Sequence, residues 1–229
     1  MDPRSLQFLK SLLDSPGPSS FEVLPARAWR QEATGFAERV DADVSGNSFA
    51  SLNVQASPRV MLAGHIDEIG VMVTYLDEDG YLSFDPVGGW DHQVFVGQRV
   101  QLLGRTGMVS GVIGKKAIHL MDKEAREKVS KAEDLWIDIG AATRKEAEGR
   151  IRVGDAGVLA SQVLEFPNGR IVSRSLDNRI GAFVVLEALR LLSRERPTAR
   201  VTAAATTREE ISSTGGGARS GAVGLGAEG

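Results

Sequence analysis

The sequence predicts an α/β protein in which helix-rich flanks enclose an all-β segment folded as a small barrel. Apolar residues recur at helical spacing near both ends of the chain. Between about Ile69 and Glu165 they alternate instead, in short runs broken by turn signals. Within the flanks, short apolar runs end abruptly in histidine or carboxylate residues.

Asp2-Pro3 reads as a helix N-cap followed by proline at the first helical position. Leu6, Leu9 and Leu13, with Phe8 and Leu12, then make one apolar face, and Ser15-Pro16-Gly17-Pro18 ends the helix. A second helix is predicted over Glu22 to Glu38, with Leu24, Trp29, Ala33 and Phe36 turned inward. Arg59 to Ala63 reads as a short buried strand, with His65 just past its end.

In the β segment, Asp79-Gly80 separates VMVTYL from YLSF, and Thr106-Gly107 separates QRVQLL from MVSGVI. Asn168-Gly169 marks a further turn. One helical interruption is expected at Thr143 to Glu148, where Thr143 and Glu146 have capping-box spacing. After Ser173 a helix is predicted from Ile180 to Leu192, beginning near Arg179, and then a small-residue strand from Ala199 to Thr206. The tail from Ser212 is glycine-rich. Its Gly224, Gly226, Gly229 pattern lacks the following helix that a dinucleotide fingerprint requires.

Composition narrows the function. With 229 residues and 42% hydrophobic content, the chain can bury a core. Its formal charge of -3 supplies no basic field, so neither nucleic acid nor an anionic membrane is an expected partner. The absence of cysteine removes disulfides, thiolate zinc sites and cysteine nucleophiles together. Any metal must therefore take histidine and carboxylate ligands. No long apolar stretch and no leader pattern are present, and the expectation is a soluble, cytoplasmic protein.

The chemistry-bearing residues follow three strand-like runs: His65 and Asp67, Asp177, and Glu209-Glu210. In open α/β sheets such strand ends converge on a ligand site. Asp67 stands two residues from His65, on the same side of an extended segment, where it can orient the imidazole. Each feature also has a plain structural reading. His65 and Asp67 suit a loop pair, Asp177 a helix N-cap, and Glu209-Glu210 a solvated charge pair. Next to a cation, one of the two glutamates can bind while its neighbour stays free as a base. His92 and His119 have no acidic partner at ligand spacing and are expected to be structural or exposed.

The strings AGHIDEIGVMV, VGGWDHQVFVGQRV, GVIGKKAIHLM, EDLWIDIGA, RVGDAGV, SRSLDNRIGA and TTREEI run in order from about residue 60 to 211. In that order they resemble the tetrahedral (TET), self-compartmentalising aminopeptidases and their glutamyl and deblocking aminopeptidase relatives. The resemblance implies a three-layer α/β/α metallopeptidase domain, incomplete here, interrupted by a β-barrel dimerisation domain. The corresponding segments are 1–69 and 164–229 for the catalytic domain and 70–163 for the insert.

It further implies two divalent metal ions, zinc, cobalt or manganese. His65 would bind one, Asp177 would bridge both, and Glu210 would bind the other. Glu209 would be the general base, with Asp67 tuning His65. The family's two remaining ligands, an aspartate and a histidine, have no match before Gly229, so a C-terminally truncated and largely inactive chain is expected. The implied partners are peptide substrates and further copies of the chain, joined through the β insert. Two rivals stand beside this reading: an endoglucanase-type glycoside hydrolase and a noncatalytic oligomerisation fragment.

Overall fold

A computed structural model describes residues 2–211, and the glycine-rich tail with its Gly224, Gly226, Gly229 pattern lies outside the described residues. The chain divides into two units. One runs to Glu68 and resumes at Gln162, and the other is Ile69–Ser161.

The first unit opens with α1 (Pro3–Asp14), which has proline in its first turn and buries Phe8, Leu9, Leu12 and Leu13. Helix α2 (Val23–Ala33) buries Trp29 and Ala33 completely. It is shorter than its apolar pattern suggested: the chain tightens into a final turn in which the Gly35 and Phe36 amides donate to the Glu32 and Ala33 carbonyls. Phe36 still packs on the core from the turn beyond, whereas Leu24 is largely exposed. Strands β1 (Arg39–Ala42), β2 (Ser48–Leu52) and β3 (Arg59–His65) follow.

The second unit is a closed barrel. Its strands are β4 (Gly70–Leu76), β5 (Leu82–Val87), β6 (Arg99–Gly104), β7 (Gly107–Lys115), β8 (Leu135–Asp138) and β9 (Ala156–Leu159). They close in the order β4-β5-β8-β7-β6-β9, so no strand edge is left open. Val73, Leu82, Val100, Leu102 and Ile137 alternate into the interior and are fully buried. The unit carries two helices where the sequence suggested one: α3 (Lys123–Glu127) and α4 (Arg144–Arg150). Thr143 caps α4 by accepting from the Glu146 amide, while the Glu146 carboxylate returns to the amide of Ala142.

The chain re-enters the first unit through a hairpin of β10 (Leu164–Phe166) and β11 (Arg170–Val172), turned at Asn168 with φ 66°. Then come α5 (Leu176–Leu192) and β12 (Arg200–Thr206). The sheet order is β1-β2-β12-β3, with β12 antiparallel to β2 and parallel to β3. Val201, Ala203 and Ala205 of β12 join Ala50 and Leu52 in one core with the helices. Small residues here let α5 lie close. A Cβ on Gly64 of β3 would sit 2.5 Å from the backbone of Gly181 and Ala182. The opposite sheet face presents Arg39, Asp41, Ser51, Met61 and Thr202, so one helical layer of the expected two is present among the described residues.

Candidate metal centre

His65 is the last residue of β3, paired in parallel register with Thr206, the last residue of β12. The Ile66 amide donates to the Thr206 carbonyl at 2.8 Å, so the segments beyond the two strands leave side by side. One carries Asp67 and Glu68, the other Glu209 and Glu210. Two parallel strands ending at one level thus bring Asp67, Glu209 and Glu210 to His65, while Glu68 turns to Arg174 and Arg179.

The His65 ring is 2% exposed and has a carboxylate on each side. Its Nδ1 lies 3.4 Å from Oδ1 of fully buried Asp67. Its Nε2 lies 3.3 Å from Asp177 Oδ1 and 3.6 Å from Glu209 Oε2. Ligand atoms of His65, Glu209 and Glu210 all fall within 4.8 Å of one another. The residues singled out in the sequence are therefore brought together. His92 instead leans on Phe95 in the barrel unit, and His119 is exposed there.

Each carboxylate owes its position to local chain geometry. Asp177 precedes the regular part of α5, with non-helical φ -84° and ψ 112°. It does not cap that helix. Asn178 Oδ1 does, accepting from the Gly181 amide at 3.1 Å, which leaves Asp177 to face His65. Asp67 Oδ2 accepts from the Ser19 hydroxyl and from the Glu210 amide at 3.1 Å. These bonds hold its carboxylate in place behind the imidazole.

The charges perturb one another. Burial works to lower the His65 pKa, but the Asp67 carboxylate and the charges of Glu209 and Glu210 outweigh it and raise it. Burial works to raise Asp67, yet the neighbouring His65 imidazole and hydrogen bonds from Ser19 and the Glu210 amide hold it below the ordinary carboxylate range. Glu210 is raised, first by burial and then, against the pull of His65, by repulsion from Asp177, Asp67 and Glu209. Four carboxylates around one imidazole are an arrangement that a divalent cation relieves, and oxygen and imidazole donors suit such an ion.

The groups that support this site carry little signal in the sequence. Glu68 is 1% exposed and pairs with Arg179 at 2.9 Å and Arg174 at 2.8 Å. Arg179, also fully buried, donates to the carbonyls of Ile66 (2.8 Å), Leu12 (3.0 Å) and Ser15. It thereby ties the end of α1 to the segment after β3. An arginine set among inward-facing residues of α5 was the available hint.

A histidine and carboxylates gathered where two parallel strands of an α/β unit end form a donor set of the kind divalent cations take. The chain belongs to the M42 glutamyl aminopeptidase family, whose profile matches residues 46–223. A lysyl aminopeptidase of Pyrococcus furiosus is 32% identical over 209 residues, covering 90% of this chain and 59% of the relative. The crystal structure of a TET aminopeptidase from a marine sediment Thaumarchaeota archaeon superposes with a TM-score of 0.87 at 36% identity, over 91% of this chain and 60% of its own. The Pyrococcus horikoshii TET1 peptidase, described as able to assemble into a tetrahedron or a large octahedral shell, gives 0.82 at 30% identity, over 90% and 62%. The chain thus spans about three-fifths of the length of these relatives.

Proposed function

We propose that the whole protein is a metal-dependent aminopeptidase that removes N-terminal residues from peptides, and that His65, Asp177 and Glu210 hold its metals. The observation that carries this reading is the division of labour around His65: Asp177 and Glu209 face Nε2, while Asp67 faces Nδ1. A metal-binding histidine has this arrangement, its second nitrogen steadied by a carboxylate. Divalent cations bound here supply Lewis-acid polarisation of the scissile carbonyl and lower the pKa of an attacking water.

Glu209 then serves as general base, taking the proton of the water and passing it to the leaving amine, a contribution of about 10²–10⁴-fold. Asp67 fixes the imidazole. A free substrate α-amino group attracted to this carboxylate-rich site restricts cleavage to the first residue. An endoglucanase-type pair of carboxylates has no use for a buried histidine between them. The barrel unit carries no such cluster among the described residues and is assigned to self-association, in line with the assembling TET1 relative.

The test supplies cobalt or zinc and compares an aminoacyl chromogenic substrate with its N-acetylated twin. Release from the free-amine substrate alone is expected. Equal release from both, or earlier appearance of internal peptide fragments from a longer substrate, overturns the reading.

A further inference from the structure

The strand ladder between β12 and β3 ends at Thr206, yet the amides of Thr207, Arg208 and Glu210 still find acceptors. Side chains from three other segments take them. Asn47 Oδ1 accepts from Thr207 at 2.9 Å, Glu22 Oε1 from Arg208 at 3.1 Å, and Asp67 Oδ2 from Glu210 at 3.1 Å. Residues 207–210 are therefore fixed by acceptors and not by a sheet.

Glu22 is the unexpected member. It occupies the N-cap position of α2, where a carboxylate ordinarily caps its own helix, but it makes no such bond. Only 6% exposed, it directs Oε1 to two amides at once, Ser20 at 2.7 Å and Arg208 at 3.1 Å. Both of those residues are left-handed, Ser20 with φ 74° and Arg208 with φ 63°. Non-glycine residues adopt that conformation at a cost and keep it only where their surroundings hold them.

The left-handed turn matters for the acids that follow. Along an extended strand consecutive side chains point to opposite faces, yet Glu209 and Glu210 both bring oxygens to His65. The left-handed Arg208 turns the chain out of the line of β12 just before the pair, and the turn that begins at Glu210 lets both acids reach the ring. We infer that Glu22 is a positioning residue, which holds Arg208 left-handed and so presents Glu209 and Glu210 together at the candidate metal centre. The metal-binding consequence rests on the function proposed above, whereas the effect on the turn stands without it.

The test uses the whole protein and two near-isosteric variants, Glu22→Met, which removes the acceptor, and Glu22→Gln, which keeps one. In the metal-free protein, amide hydrogen exchange at Arg208 should quicken about tenfold or more in Glu22→Met, as expected for a buried donor losing its partner, and about twofold or less in Glu22→Gln. Visible absorption of bound cobalt then reports the centre: affinity should fall in Glu22→Met, hold in Glu22→Gln, and recover in Glu22→Met/Arg208→Gly, since glycine accepts a left-handed backbone without help. Unchanged Arg208 exchange in a folded Glu22→Met overturns the positioning role. So does loss of cobalt affinity that Arg208→Gly fails to restore. If Arg208 exchange follows Glu22 but wild-type protein takes up no cobalt, the turn assignment stands and the metal reading falls.

Discussion

Arg179 and Glu68 form an ion pair at 2.9 Å in which neither side chain is more than 1% exposed. Burial pulls the Arg179 pKa down and Glu68 supports it, so the pair is held by mutual charge and by the ring of backbone carbonyls around the guanidinium. It lies directly behind the segment that carries His65 and Asp67.

Removing Arg179 should therefore destabilise the unit that contains it. Arg179→Met leaves Glu68 buried with only part of its compensation, and breaking a buried pair in this way costs about 3–5 kcal/mol. Arg179→Lys should recover little, because an ammonium cannot reproduce the guanidinium fork. Urea unfolding measures both. A loss under about 1 kcal/mol in Arg179→Met, within the range of an ordinary surface substitution, would contradict the arrangement.

Glu209 and Glu210 should separate cleanly when each is made neutral. Glu209→Gln keeps metal and loses turnover by about 10²-fold or more, the scale of a lost general base. Glu210→Gln loses metal. Elemental analysis alongside single-turnover kinetics distinguishes them, and an emptied site in Glu209→Gln with a full one in Glu210→Gln reverses the roles.

Metal affinity should rise with pH through the titration of His65. Its folded pKa is raised above the ordinary 6.5, so the metal-free ring keeps its proton further into neutral pH, and a cation must displace it. Stability of the metal-free chain runs the other way: the contribution from protonated His65 is complete below pH 6.5 and disappears as pH climbs past the raised value. Cobalt titrations and thermal melts across that interval should show opposite slopes. Parallel slopes would remove His65 from the ligand set.

Gly64→Ala should disturb the centre without touching a ligand. The new methyl would lie 2.5 Å from backbone atoms of Gly181 and Ala182, which cannot rotate aside. Overpacking of this kind costs about 1–3 kcal/mol. Because α5 also carries Asp177, cobalt affinity should fall with stability. A variant of wild-type stability and affinity would show that α5 is free to move away.

The sequence was most legible where a residue type has one use. The proline start of α1, the Thr143 cap and the small-residue strand β12 are local signals that neighbours alone carry, although Asp2 holds the N-cap position of α1 without a side-chain cap bond. His65, Asp177 and the glutamate pair stood out by following apolar runs, and the structure draws them together. What stayed hidden depends on distant partners. Strands β1 and β2 are short, β2 is set by its place beside β12 and β1 by its place beside β2, and nothing near Ser48 announces pairing with Ala205. Glu22 reads in sequence only as the start of a helix, and Asn47 and Glu68 are not singled out at all, because the amides and guanidinium groups they serve lie more than a hundred residues away.

The barrel enters the chain through β4 and leaves it through β9, and these two strands are hydrogen-bonded neighbours, Val71 opposite Gly157. This bears on the order of folding. Pairing β3 with β12 joins Arg59 to Arg200, a long loop to close. Once the barrel has formed, everything from Ile69 to Ser161 counts as a short connector, because its two ends emerge side by side. Closure entropy grows only with the logarithm of loop length, so the shortcut is worth about 1 kcal/mol, roughly a fivefold gain in the chance that the two strands meet. An insertion that separates the halves of the site in sequence thus serves as a clasp while they assemble.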